Sequence, residues 1–159
     1  MGGGVGLTIN SDFIICNENI NWAMPETSLG FVPDVGVGKY ISKLPQALGQ
    51  YIGLCGVSLS SYDLVKYKLV DVVIKENSYQ ILLEKLYALS NIFSGDDLIN
   101  EFKIEASKFE TKENDSVLQK NLSKINKYFS YDSMEEIYNN LKANLDDDFA
   151  LNCYQNLSK

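Results

Sequence analysis

Met1-Gly2-Gly3-Gly4-Val5-Gly6-Leu7, Met24-Pro25-Glu26-Thr27 and Gly30-Phe31-Val32-Pro33-Asp34-Val35-Gly36 lie in one short span, and together they read as a backbone-donor site for a polarised carbonyl with two loop carboxylates. Glycines allow close backbone approach, while Val5, Leu7 and Ile9 supply apolar contacts, so residues 3–10 read as the start of a closely packed helix. Backbone N–H groups at such a start stabilise anions and developing oxyanions. A dinucleotide fingerprint fails here, because Leu7 or Ile9 falls where the third glycine belongs. A phosphate loop around Gly38-Lys39 fails too, with Pro33 at the first glycine position and Tyr40 at the Ser/Thr position.

Glu26 and Asp34 each follow a proline, and the glycines at 30, 36 and 38 permit sharp turns between and after them. Taken alone, two loop acids also read as solvated caps. Their meaning depends on what surrounds them.

Composition narrows the chemistry. At 159 residues with 45% hydrophobic content, the chain can build a real core. It has no histidine, which removes Ser-His-Asp and Cys-His catalysis and histidine metal sites within the chain. Proton transfer then falls to Asp, Glu, Lys, Tyr or water. The basic residues are all lysine, so no bidentate arginine clamp is available. The net charge of −7 is uneven: residues 1–75 hold six acids and five lysines, and residues 76–159 hold fifteen acids and nine lysines. An acidic second half opposes a phosphate-tracking surface, so no nucleic acid partner is expected. Cys16, Cys55 and Cys153 are odd in number and far apart, which reads as buried reduced thiols in an intracellular protein rather than a disulfide or zinc framework. No apolar run approaches the ~20 residues of a membrane span, and the glycine-rich start lacks the basic segment of a secretory signal.

Along the chain, residues 12–16 read as a buried strand and Asn21–Met24 as a second short strand ended by Pro25. Residues 26–38 read as loop, and 39–53 as helix interrupted at Pro45. Ser60 and Asp63 resemble a capping box opening a helix through about Lys68, followed by a strand over 70–74. Residues 78–92 carry Ile81, Leu82, Leu86 and Leu89 on one helical face. Weaker helical spacing follows over 96–109, a polar loop over 110–116, then a helix over 117–129. Ser133 and Glu136 form a capping box ahead of Ile137 and Leu141. Asp146-Asp147-Asp148 reads as the cap and first-turn acids of a last helix, with a metal site as the alternative.

In order and spacing, the three opening stretches resemble the enoyl-CoA hydratase/isomerase (crotonase) superfamily, and within it the 3-hydroxyisobutyryl-CoA hydrolases. The full Gly30–Gly36 motif points to the hydrolases, because hydratases usually share only the Pro-Glu. The likeness continues through Leu54-Cys55-Gly56 and Ser60–Ile74, and more faintly through Ile125–Phe129, Ser133–Leu141 and Phe149-Ala150-Leu151. It implies an incomplete α/β crotonase-like fold, with short strands first and a mostly α-helical region after. Residues 1–75 would be the partial core carrying the active-site loops, and 76–159 the helical region of the hydrolase type. By the resemblance, the chain would correspond to a central part of such a protein, without the N-terminal half and the C-terminal end.

The resemblance implies an acyl-CoA thioester substrate and no cofactor beyond the coenzyme A of that substrate. By position, the Gly3 N–H would be one oxyanion donor, worth roughly 3 kcal/mol. Glu26 would be the principal carboxylate, as general base or nucleophile, and Asp34 would orient the substrate 3-hydroxyl or assist the proton transfers. A homo-oligomer or a complementing N-terminal fragment is the expected partner. The implied compartment is the cytoplasm in a bacterium or the mitochondrial matrix in a eukaryote. The alternatives are a hydratase or isomerase of the same superfamily, or a non-catalytic remnant of a split or decayed gene. Two departures bear on stability: Val37 and Tyr67-Lys68 stand where the family tends to have glycine and Ala-Gly. Each costs stability if its position needs φ > 0.

Overall fold

The structure, a computed structural model, describes residues 1–111 and 116–158; residues 112–115, inside the loop expected over 110–116, lie outside the described residues. The chain divides into two compact units: Met1–Leu7, Trp22–Leu59 and Val117–Lys159 form one, and Thr8–Asn21 with Ser60–Ser116 the other. Each unit draws on residues from both sides of position 75. No helix of the described residues is long and apolar enough to cross a membrane.

The first unit is helical. It holds the start of α1 (Gly3–Thr8), then α2 (Gly38–Ile41), α3 (Leu48–Cys55), α7 (Val117–Lys120), α8 (Leu122–Phe129), α9 (Met134–Lys142) and α10 (Asp148–Leu157). Helix α3 is its hub, touching α2, α8, α10 and the segment after Pro25. Its buried Leu48, Tyr51, Ile52 and Cys55 follow the i, i+3, i+4, i+7 spacing of one helical face. Gly49 lets α2 end against α3, because a Cβ there would overlap the Ile41 carbonyl. Tyr51 meets Phe129 edge-on at 5.2 Å and Phe149 at 5.5 Å, so aromatic packing joins α3, α8 and α10.

Both caps read from the sequence form in this unit. Ser133 accepts from Glu136 N–H at 3.2 Å, and the Glu136 carboxylate accepts from Ser133 N–H at 3.2 Å. Asp147 caps α10 by accepting from Phe149 N–H at 2.9 Å. Its other oxygen accepts from the buried Tyr128 hydroxyl at 3.0 Å, and Lys124 Nζ lies 2.8 Å from Oδ1. Asp147 of the acidic triplet is therefore the cap of α10, tied to α8 through Tyr128 and Lys124.

The second unit carries the sheet. Strands β1 (Ile15–Asn17) and β2 (Val72–Ile74) pair in parallel, Ile15 opposite Val72 and Asn17 opposite Ile74. All three β2 residues are buried, as expected for a β-branched run. Between them in this unit lies α4 (Ser61–Lys66); α5 (Tyr79–Ser90) and α6 (Gly95–Ser107) follow β2. Val72, Ile74, Leu82 and Ala106 form the core, with Phe13, Ile15, Phe102 and Phe109 packed on it. Ser60 caps α4 by accepting from Asp63 N–H at 3.1 Å. The fully buried Asp63 carboxylate accepts from the Ser60 hydroxyl at 2.9 Å and from the Ser116 hydroxyl.

Helix α4 ends in a Schellman motif. Lys68 N–H donates to Val65 O at 3.0 Å and Leu69 N–H to Leu64 O at 2.8 Å, with Lys68 left-handed at φ 56°. The glycine-preferring position expected from the Tyr67-Lys68 departure is therefore real.

Three expectations need correction. Asn21–Met24 is not a strand. Trp22 makes only an isolated bridge to Leu59, and Ala23 O is taken by Gly2 N–H at 2.9 Å, so the segment's carbonyls serve two different partners. Leu7 is 85% exposed rather than packed, since Val5 and Ile9 take the buried positions near it. Ile81 is 48% exposed, because α5 turns Leu82 inward instead.

Candidate active site

Glu26 is placed by what precedes it. Ala23 and Met24 are fully buried and fix the approach of the chain. Pro25 then leads into a 3-10 turn over Glu26–Leu29, stabilised by Ser28 N–H and the Ser28 hydroxyl donating to Pro25 O at 3.0 and 2.7 Å. Gly30, left-handed at φ 77°, closes the turn by donating to Thr27 O at 3.1 Å. From the other side, the α3 cap Gly56 is left-handed at φ 59°, and a Cβ there would stand 3.1 Å from Pro25 Cα. The close backbone approach between the α3 terminus and Pro25 therefore depends on glycine.

The carboxylate of Glu26 points to the glycine run. A Cβ on Gly2 would stand 2.9 Å from Glu26 Oε1. Glu26 Oε2 is buried and has no hydrogen-bond partner among the described residues. A buried carboxylate oxygen without a donor is costly, and such groups cluster where a ligand or water completes the site. Gly3 follows Gly2 in the chain. It is exposed, with nothing within 4 Å of where its Cβ would be. As the first residue of α1, its N–H has no intrahelical acceptor.

Asp34 is exposed and sits in a turn closed by Val37 N–H donating to Asp34 O at 3.1 Å. The left-handed residues after it are Val35 at φ 47° and Gly36 at φ 79°. Val37 is helical at φ −61° and fully buried, so valine there meets no backbone penalty. The strain falls instead on Val35, a β-branched residue in a region such residues rarely adopt. It is held there by α1: a Cβ on Gly6 would overlap Val35 Cβ and Cγ2. Gly2 and Gly6, one helical turn apart, thus receive the Glu26 and Asp34 segments respectively. The glycine run was legible as a close-packing surface; which glycine receives which loop was not, because that depends on the tertiary path of residues 22–37.

A cavity of about 580 Å³ lies in the same unit, lined by Thr27, Val32, Pro33, Ile41, Gln50 and Met134 among others. Gly3, Glu26 and Asp34 do not line it. The cysteines offer no competing nucleophile, since all three are free and buried. Burial pushes the Cys16 thiol up to about 11. A hydrogen bond with the Cys153 thiol, reinforced by burial, pushes Cys55 up as well. Among the described residues no three or more His, Cys, Asp or Glu side chains come together as a metal-binding group.

The glycine run, the Pro25-Glu26 turn and the Asp34 turn thus occur together in one unit. A family model described as enoyl-CoA hydratase/isomerase matches residues 1–159. The chain belongs to the enoyl-CoA hydratase/isomerase family. Among relatives of this family, the chain is 32% identical over 160 residues to a protein of Xenopus laevis named 3-hydroxyisobutyryl-CoA hydrolase, mitochondrial, covering 99% of this chain and 41% of the relative. It is 34% identical over 148 residues to the Homo sapiens protein of the same name, covering 89% of this chain and 37% of that protein. The chain therefore spans about two fifths of the length of the curated relatives it matches.

The fold agrees with the family. A carnitinyl-CoA dehydratase from Mycobacterium thermoresistibile superposes with a TM-score of 0.81 at 24% identity, over 99% of this chain and 43% of that one. An enoyl-CoA hydratase from Rhodobacter sphaeroides superposes with a TM-score of 0.79 at 24% identity, over 99% and 42%. The expected incomplete α/β crotonase-like fold is therefore present.

Proposed function

We propose that this chain supplies one wall of an acyl-CoA thioester hydrolase site acting on 3-hydroxyisobutyryl-CoA or a close 3-hydroxyacyl-CoA. The observation that carries the reading is the Glu26 carboxylate, seated on the glycine run with a buried oxygen that no described residue satisfies. The hydrolase branch is supported by relatives of that name at 32–34% identity.

In this reading Glu26 takes a proton from water as the water oxygen bonds to the thioester carbonyl carbon. The carbonyl oxygen becomes an oxyanion, and the Gly3 N–H at the open start of α1 donates to it. When the tetrahedral intermediate collapses, the C–S bond breaks and Glu26 returns the proton to the coenzyme A sulfur. Attack by Glu26 itself, through a transient anhydride, uses the same geometry. Asp34, exposed on the adjoining turn, accepts a hydrogen bond from the substrate 3-hydroxyl. No cofactor enters these steps; coenzyme A arrives as part of the substrate. The second oxyanion donor comes from another segment or chain, so an assembled partner is part of the reading. An intracellular location follows from the substrate class and matches the relatives whose names place them in mitochondria.

Product analysis tests the branch. Hydrolysis predicts release of a free thiol from 3-hydroxyacyl-CoA and none of the hydrated product from crotonyl-CoA. Hydration of crotonyl-CoA without thiol release would assign the chain to the hydratase branch instead.

A further inference from the structure

Gly2 is held on both sides. Its N–H donates to Ala23 O at 2.9 Å, its carbonyl accepts from Val5 N–H at 2.8 Å, and its φ is +54°. Its Cα is therefore fixed between the start of α1 and the residues that lead into Glu26. Any L side chain would bring a Cβ to 2.9 Å from Glu26 Oε1, inside normal contact distance. The other oxygen, Oε2, is buried with no hydrogen bond from the described residues. Oε1 thus lies against the space a methyl group on Gly2 would fill.

We propose that Gly2 is a positioning residue, whose missing side chain leaves the seat that fixes the Glu26 carboxylate at the start of α1. Its consequence for turnover rests on the thioester reading above; the placement of the carboxylate does not. Oε1 is the tip of a rotatable side chain, so an added methyl displaces the carboxylate before it displaces the backbone. Backbone strain from the positive φ is a separate effect. Gly36 isolates it: its φ is +79° and a Cβ there meets nothing within 4 Å.

The test is the carboxyl carbon resonance of Glu26, assigned in the ¹³C-glutamate-labelled full chain by its loss in Glu26→Gln. Gly2→Ala is expected to move this resonance at fixed pH, and Gly36→Ala to leave it in place. An unmoved resonance in Gly2→Ala, or an equal displacement in Gly36→Ala, overturns the proposal. If Gly2→Ala does not fold, the double variant Gly2→Ala/Glu26→Ala decides. Recovery of folding supports a side-chain clash, and a second failure to fold overturns it. In an active assembly, Gly2→Ala is expected to lower kcat about 100-fold with little change in KM, the effect of a misplaced catalytic group. An unchanged kcat overturns the positioning role. If the unsubstituted assembly releases no thiol, the thioester reading fails, and the resonance alone still decides the placement.

Discussion

Replacing Lys68 by glycine is expected to stabilise the protein. Lys68 occupies the left-handed position of the Schellman motif closing α4, at φ 56°, with both motif hydrogen bonds formed. A residue with a Cβ loses about 1–2 kcal/mol in this conformation. Glycine removes that cost and adds about 0.5–1 kcal/mol of unfolded-state entropy. Lys68 is exposed, so no packing is lost. The balance is a gain of about 0.5–1 kcal/mol. With a urea m-value of about 2 kcal/mol/M, the unfolding midpoint rises by about 0.3–0.5 M. Urea unfolding followed by far-ultraviolet circular dichroism measures it. Lys68→Ala is the control, because it keeps the Cβ and loses only the lysine. A glycine variant no more stable than the alanine variant would refute the argument that backbone conformation governs this position.

Other consequences follow from the same geometry. Gly6→Ala places a methyl on Val35 and is expected to cost about 1–3 kcal/mol in thermal unfolding, with Val35→Gly in the same background recovering most of the loss. Asp147 is held down to about 2, first by the hydrogen bond from Lys124 and then by the Phe149 N–H and Tyr128 hydroxyl. Its folded value lies below the unfolded one of about 3.9, so its contribution is present above about pH 4 and lost as pH falls toward 2. A titration of helix content should therefore show Asp147→Asn less stable at neutral pH and less sensitive to acid over that window. The thiols of Cys16, Cys55 and Cys153 are expected to react with an aromatic disulfide reagent at pH 8 far more slowly in the folded chain than in urea, because all three are buried.

The sequence was most legible where a local pattern and its partner lie within one turn. The Ser133–Glu136 capping box and the Asp147 cap form as their residue types require, and the buried face of α3 follows its apolar spacing. It was less legible where tertiary partners decide. Trp22 and Ala23 have strand-like residues around them, yet their carbonyls go to Leu59 and Gly2, both distant in sequence. The left-handed residue near Asp34 is Val35 rather than Val37, because Gly6 gives Val35 a place to pack and the core claims Val37. For the candidate site, the residue types and their order were readable. The approach of Glu26 Oε1 to Gly2, and the unpartnered Oε2, needed the folded path.

The proposed thioester hydrolysis rests on Glu26. It is tested most directly by thiol release from 3-hydroxyisobutyryl-CoA, using a chimera in which this chain replaces the matching part of the Xenopus laevis relative. Release by the chimera is expected, with a loss of at least about 100-fold in Glu26→Gln. A folded chimera that releases no thiol, or releases it equally well with glutamine at position 26, would contradict it.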